Sequence, residues 1–141
     1  MAALDDALLP VFARQHWLVS MDDVRRHGGS PPAATRRVQA GRWDAVERSV
    51  FRLAALPGSW HASLLAPILS IGGRAAASHF SAAALHGIPG FGRGVPELSI
   101  ERGAEHRRPD LRLHTSTDLD RCEIVVIEGV PTTDLARTIL D

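Results

Sequence analysis

The feature that most limits how this chain folds is a short segment bracketed by glycine stops. His27-Gly28-Gly29 is followed at once by Ser30-Pro31, and Gly41 closes the segment that begins there. A glycine just past a helix takes the left-handed stop cheaply, because it has no Cβ to clash. Serine before proline is the opposite signal. The hydroxyl caps free backbone N–H groups, while proline presets φ and needs no donor in the first turn. Residues 31–40 therefore form a helix whose two ends are written into the sequence. Its composition is not that of a core helix. Ala33, Ala34 and Val38 can face inward, whereas the exposed face offers Thr35, Arg36 and Gln39, with Arg37 beside them and Arg42 just beyond.

The flanking sequence sets this helix third in a series. Leu4, Leu8, Val11 and Phe12 recur at helical spacing, with Asp5 and Asp6 where the helix dipole favours acids, so a first helix is predicted over about 3–16. Trp17-Leu18-Val19 reads as an apolar connector. Ser20 starts a second helix, with Asp23 as the acidic partner of a weakened capping box. After the third helix, Trp43–Val46 and Val50–Leu53 flank a polar turn at Glu47-Arg48-Ser49, the pattern of a β-hairpin. Three helices followed by a hairpin is the order of a winged helix-turn-helix, assigned to residues 1–55.

Leu56-Pro57-Gly58 breaks the pattern, and a second region is assigned to 59–141. Ser59 caps a helix with Pro67 inside it, Arg74–Ser78 is extended, and Phe80–His86 is a short helix closed by Gly87. Gly87–Gly94 is loop. Glu97–Ile100 and Leu111–His114 read as strands joined by a polar, arginine-containing loop at 101–110. Glu123–Ile127 is a third strand turning at Glu128-Gly129, and Thr133 is the expected cap of a last helix. The expected fold class is α+β: a winged helix-turn-helix, then a small α/β region.

Charge is zero in sum but not in distribution. Residues 25–52 hold Arg25, Arg26, Arg36, Arg37, Arg42, Arg48 and Arg52 against only Asp44 and Glu47, between a more acidic start and a more acidic second half. A local basic patch on a neutral protein favours an anionic partner. Every basic residue is arginine. The longest apolar run, Leu64–Ile71, is far too short to span a bilayer. Acidic residues stand where a signal peptide would be basic, and the single cysteine, Cys122, fits a reducing compartment, so a cytoplasmic setting is expected.

Catalytic chemistry does not assemble in the sequence. Ser78-His79 are adjacent, and neighbouring side chains diverge on a regular strand or helix, so they are expected to cap and anchor rather than to share a hydrogen bond. There is no His-Glu-x-x-His and no Cys-x-x-Cys, and His79 and His86 are too far apart on a helix for one ion, so no metal or cofactor site is expected. Gly90-x-Gly92-x-Gly94 follows a helix and precedes a strand, the reverse of a dinucleotide fold. Pro109-Asp110 resembles the start of a restriction-type nuclease element, which needs a lysine that this chain lacks. An enzyme is not expected.

Taken together, several signatures resemble the AbiEi-type antitoxin and transcriptional-regulator family. These are Trp17-Leu18-Val19-Ser20, Ala40-Gly41-Arg42-Trp43 before Val50-Phe51-Arg52-Leu53, and Ala77-Ser78-His79 before Ser81–Gly87. Near the end come Gly129-Val130-Pro131-Thr132-Thr133 and Ala136–Asp141. The resemblance implies an N-terminal winged helix that binds operator DNA, and autoregulation of an operon in a type IV toxin-antitoxin system. It also implies functional pairing with a nucleotidyltransferase-like toxin. Relatives often continue past the last element, sometimes into a Vsr-like endonuclease, so this chain is read as an incomplete member. The expected DNA-binding residues are Ser30, Thr35, Arg36, Arg37, Gln39, Arg42, Arg48 and Arg52. Arg36, Arg37 and Gln39 would face the groove, with Arg42, Arg48 and Arg52 on phosphates. The alternative reading is the targeting part of a Vsr-like endonuclease without its catalytic domain. A third is a protein-interaction module, favoured if Arg36 and Arg37 are buried against the acidic second half.

Overall fold

The computed structural model describes residues 2–72, 74–101, 109–119 and 123–141. Among them the chain forms six helices and two sheets, a mixed α+β architecture. Helices α1 (Ala2–Arg14), α2 (Met21–Arg26) and α3 (Pro31–Gln39) precede strands β2 (Trp43–Glu47) and β3 (Val50–Leu53). The caps predicted for α2 and α3 form, whereas Ser78, expected to cap the short helix after it, makes no side-chain capping hydrogen bond. Ser20 Oγ accepts from Asp23 N at 3.1 Å while the Asp23 carboxylate accepts from Ser20 N at 2.9 Å, a reciprocal box completed by the shorter acid. Gly28 and Gly41 take the left-handed stops at φ +88° and +74°.

The Trp17–Val19 connector differs from expectation. Leu18–Ser20 is a strand, β1, antiparallel to β3 in a sheet of order β1-β3-β2. Three residues carry no readable period, and only the free edge of β3 draws them into the ladder. Beneath this sheet Leu8, Phe12, Val24, Ala34, Trp43 and Phe51 form one core. Phe12 meets Trp43 edge-on at 5.7 Å.

The second sheet contains β4 (Ala75–Ala77), β5 (Glu97–Glu101), β6 (Arg112–Ser116), β7 (Ile124–Ile127) and β8 (Val130–Thr133), in the order β6-β5-β4-β8-β7. Pairs β5·β6 and β4·β8 are parallel, and the others antiparallel. Strand β8 is absent from the sequence reading, because Val-Pro-Thr-Thr is short and contains a proline. Thr133 ends that strand, so the cap of α6 (Leu135–Leu140) passes to Asp134, whose Oδ1 accepts from Arg137 N at 2.7 Å. Most of the predicted 101–110 loop (102–108) and Cys122 lie outside the described residues.

Helix α4 (Trp60–Ile71) lies between the two sheets. It is capped by Ser59 and stopped by Gly72 at φ +74°. Its Leu64, Leu65 and Ile68 join Leu18 and Val50 of the first sheet and Ala77, Leu98, Ile100 and Val130 of the second in one hydrophobic cluster. The pattern break at Leu56–Gly58 is therefore a turn across which packing continues. Alternation along the strands then sorts the second sheet into two faces. Ala75, Ala77, Leu98, Ile100 and Leu113 face α4. Glu97, Ser99, Arg112 and His114 share the opposite face, toward α5 (His79–Leu85). Among the described residues no helix is long and apolar enough to cross a membrane.

Leu64 is fully buried in the shared cluster. We expect Leu64→Ala to cost about 2–5 kcal/mol by urea unfolding. Tryptophan fluorescence and far-UV circular dichroism should shift together, because one core carries both sheets. Separate transitions for the two probes would show that the halves unfold independently.

Candidate functional site

The exposed side of α3 carries Thr35, Arg36 and Gln39, with Gln39 four residues from Thr35 and three from Arg36 and so on a shared helical face. Arg36 has no ion pair among the described residues. Thr35 Oγ1 donates to Pro31 O at 3.1 Å, which leaves its methyl and an oxygen lone pair outward. Ser30 is exposed, but its hydroxyl is used in capping and accepts from Ala33 N.

Arg37 departs from expectation. Its side chain is only 1% exposed and cannot face a groove. Its Nε and Nη2 donate to the two Asp5 carboxylate oxygens at 2.8 and 3.3 Å, and its Nη1 donates to Ala33 O at 2.9 Å. The guanidinium also lies 5.5 Å from the Trp43 ring centre. Position 37 falls one residue off the exposed face, so the helical turn aims it at α1. There a bidentate carboxylate offsets the cost of burying the charge. The Arg37 hydrogen bond, aided by the charges of Arg37 and Arg42, holds the Asp5 carboxyl below the usual carboxylate range.

The remaining arginines divide. Arg42 is half exposed and reaches Asp5 at 3.4 Å. Arg48 is exposed in the turn of the β2–β3 hairpin, where Ser49 has φ +61°. Arg52 is a second correction. It lies against Asp44 at 3.4 Å and runs toward Gly58, where an added Cβ would stand 2.7 Å from its Nη1. Its Nε is buried without a hydrogen-bond partner among the described residues. It braces the hairpin and is poorly presented to a phosphate. Thr35, Arg36, Gln39, Arg42 and Arg48 thus remain as an accessible set.

A second cluster, missed in the sequence, sits on the polar face of the five-stranded sheet. Glu97 is almost fully buried at the start of β5. The parallel register with β6 brings His114 beside it, with Nε2 2.9 Å from Oε2, while Arg112 lies 3.7 Å from Oε1. The His79 ring stacks on His114 at 3.7 Å. Burial, and then the neighbouring His114, push the His79 pKa below the usual imidazole value. Contrary to expectation, His79 Nδ1 and Ser78 Oγ share a 2.9 Å hydrogen bond. The rule for regular backbone fails because His79 has φ +53°, which swings its ring back over the preceding residue. Ser78 is fully buried, so its hydroxyl orients the ring and is closed to a substrate. Beside the cluster, Phe80, Phe91 and Ile139 line a cleft of about 320 Å³. The alternation of Glu97, Ser99 and His114 with Leu98, Ile100 and Leu113 was a readable signal. The register bringing position 97 to 114 was not.

No family model matches the chain, and no curated protein matches it.

Replacing Asp5 by Asn should cost about 3 kcal/mol at pH 7, since it leaves the buried Arg37 charge without its counter-ion. Because the folded pKa of Asp5 is depressed, its contribution is present above the unfolded value and lost as pH falls through the folded one. Urea unfolding of both proteins across acid pH should show the gap closing as pH falls. A gap that stays constant would mean the pair contributes nothing.

Proposed function

We propose that this protein is a DNA-binding transcriptional autoregulator of antitoxin type, using residues 1–55 as a winged helix-turn-helix against operator DNA in the cytoplasm. The observation that carries this reading is the exposed face of α3, where Arg36 stands between Thr35 and Gln39 with no anionic partner among the described residues. An unpaired guanidinium loses no existing contact on meeting DNA. In the major groove it suits the two acceptors of guanine, and Gln39 suits the acceptor and donor of adenine.

The element order supports the same reading. Helices α2 and α3 form a pair joined through Gly28-Gly29, and β1 completes a three-stranded sheet with a hairpin that would serve as the wing. Arg48 at its turn and Arg42 at the exit of α3 suit phosphates flanking the groove. Arg37 acts indirectly, by locking α3 onto α1 so that Arg36 and Gln39 keep a fixed direction. Its buried ion pair is with Asp5 of α1, whereas a protein-interaction module would be favoured by burial of Arg36 and Arg37 in salt bridges to the acidic second half. The antitoxin role, with a nucleotidyltransferase-like toxin as functional counterpart, extends this reading through the family resemblance.

With Arg42 and Arg48 on phosphates, affinity should fall with salt at a log–log slope of about −2. Arg36→Ala should weaken binding to the upstream intergenic DNA by about tenfold or more, since a good base contact is worth ~1–3 kcal/mol. Far-UV circular dichroism should be unchanged, because the side chain is exposed. Fluorescence anisotropy measures both effects. Absence of binding by the wild-type protein at low salt would sink the proposal.

A further inference from the structure

We infer that His79, Glu97 and His114 form a binding site for a divalent transition-metal ion, Zn²⁺ by the chemistry of the donors. One ring nitrogen of each histidine and one carboxylate oxygen of Glu97 all lie within 4.8 Å of one another. The three residues come from α5, β5 and β6, and no sequence spacing joins them. Two imidazoles and one carboxylate suit zinc, which takes three such ligands and leaves a fourth position open. Magnesium and calcium prefer all-oxygen shells and would be poor occupants.

The surroundings are organised around these donors. The buried Ser78 hydroxyl engages His79 Nδ1, the kind of outer contact that fixes the ring orientation of a metal-ligating histidine. His79 holds a left-handed backbone conformation, uncommon and strained for a non-glycine residue, which brings its ring onto the cluster. Asp141 lies 3.8 Å from His79 Nδ1, held by Arg137 at 2.9 Å, and supplies a further carboxylate nearby. An ion at about 2.0–2.2 Å from each donor would set tetrahedral donors roughly 3.4 Å apart, so the 2.9 Å His114–Glu97 contact would widen and the stacked imidazole pair would open. The adjoining cleft gives the open coordination position room for water or a small ligand.

The test is calorimetric titration of the metal-stripped full chain with ZnCl₂, together with long-range ¹H–¹⁵N spectra of its imidazoles. We expect one ion per chain, with the His79 and His114 ring signals moving and those of His27 and His86 still. Glu97→Gln and His114→Ala should each weaken binding at least about 100-fold. His61→Ala should leave it unchanged, because His61 pairs with Glu128 at a separate place. If a cluster variant fails to fold by circular dichroism, the wild-type imidazole spectra decide. No binding at millimolar zinc would overturn the inference. So would ring shifts confined to other histidines, or affinity that survives both cluster substitutions.

Discussion

Helix α4 is the part on which the remaining structure depends. It is apolar nearly all round, so no single partner surface can satisfy it, and it must be enclosed. Two sheets enclose it, one built from residues before it in the chain and one from residues after it. Each sheet gains a buried face from the same helix. The two halves consequently meet in a common core, despite a turn sequence between them that looks like a linker.

That enclosure also determines what is left for function. Since α4 takes the apolar face of the five-stranded sheet, the polar face with Glu97, Ser99 and His114 falls to α5, a seven-residue helix, and to α6 beside it. Such short helices cover little area, and a cleft remains beside the histidines. In the first half the core under β1, β3 and β2 takes the inner side of α3, through Ala34. The opposite side is then free to carry Thr35, Arg36 and Gln39.

Charge is sorted by the same geometry. Arg36 and Arg37 are neighbours in sequence and have opposite fates, because one residue along a helix is about a quarter turn. Arg37 is spent on Asp5 and holds the helix in position. Arg36 stays in water. Arg52 and Arg48 divide in the same way, the first drawn to Asp44 and the second left at the turn. A count of arginines between 25 and 52 overstates the usable patch for this reason.

The sequence by itself determined where most of the helices start and stop. Ser20, Ser30 and Ser59 cap helices, Gly28, Gly41, Gly72 and Gly87 take left-handed positions, and the exposed face of α3 follows from its spacing. These are local effects, complete within one turn of chain. Only the tertiary structure decided what depends on residues distant in sequence. It recruited Leu18–Ser20 and Val130–Thr133 as strands, buried Arg37 on Asp5, and gathered His79, Glu97 and His114. Each of these needs a partner at a register or packing angle that no window of neighbouring residues encodes. The bracketed helix at 31–40 was legible from its stops, and which of its arginines faces outward was settled by the acid that α1 sets beneath it.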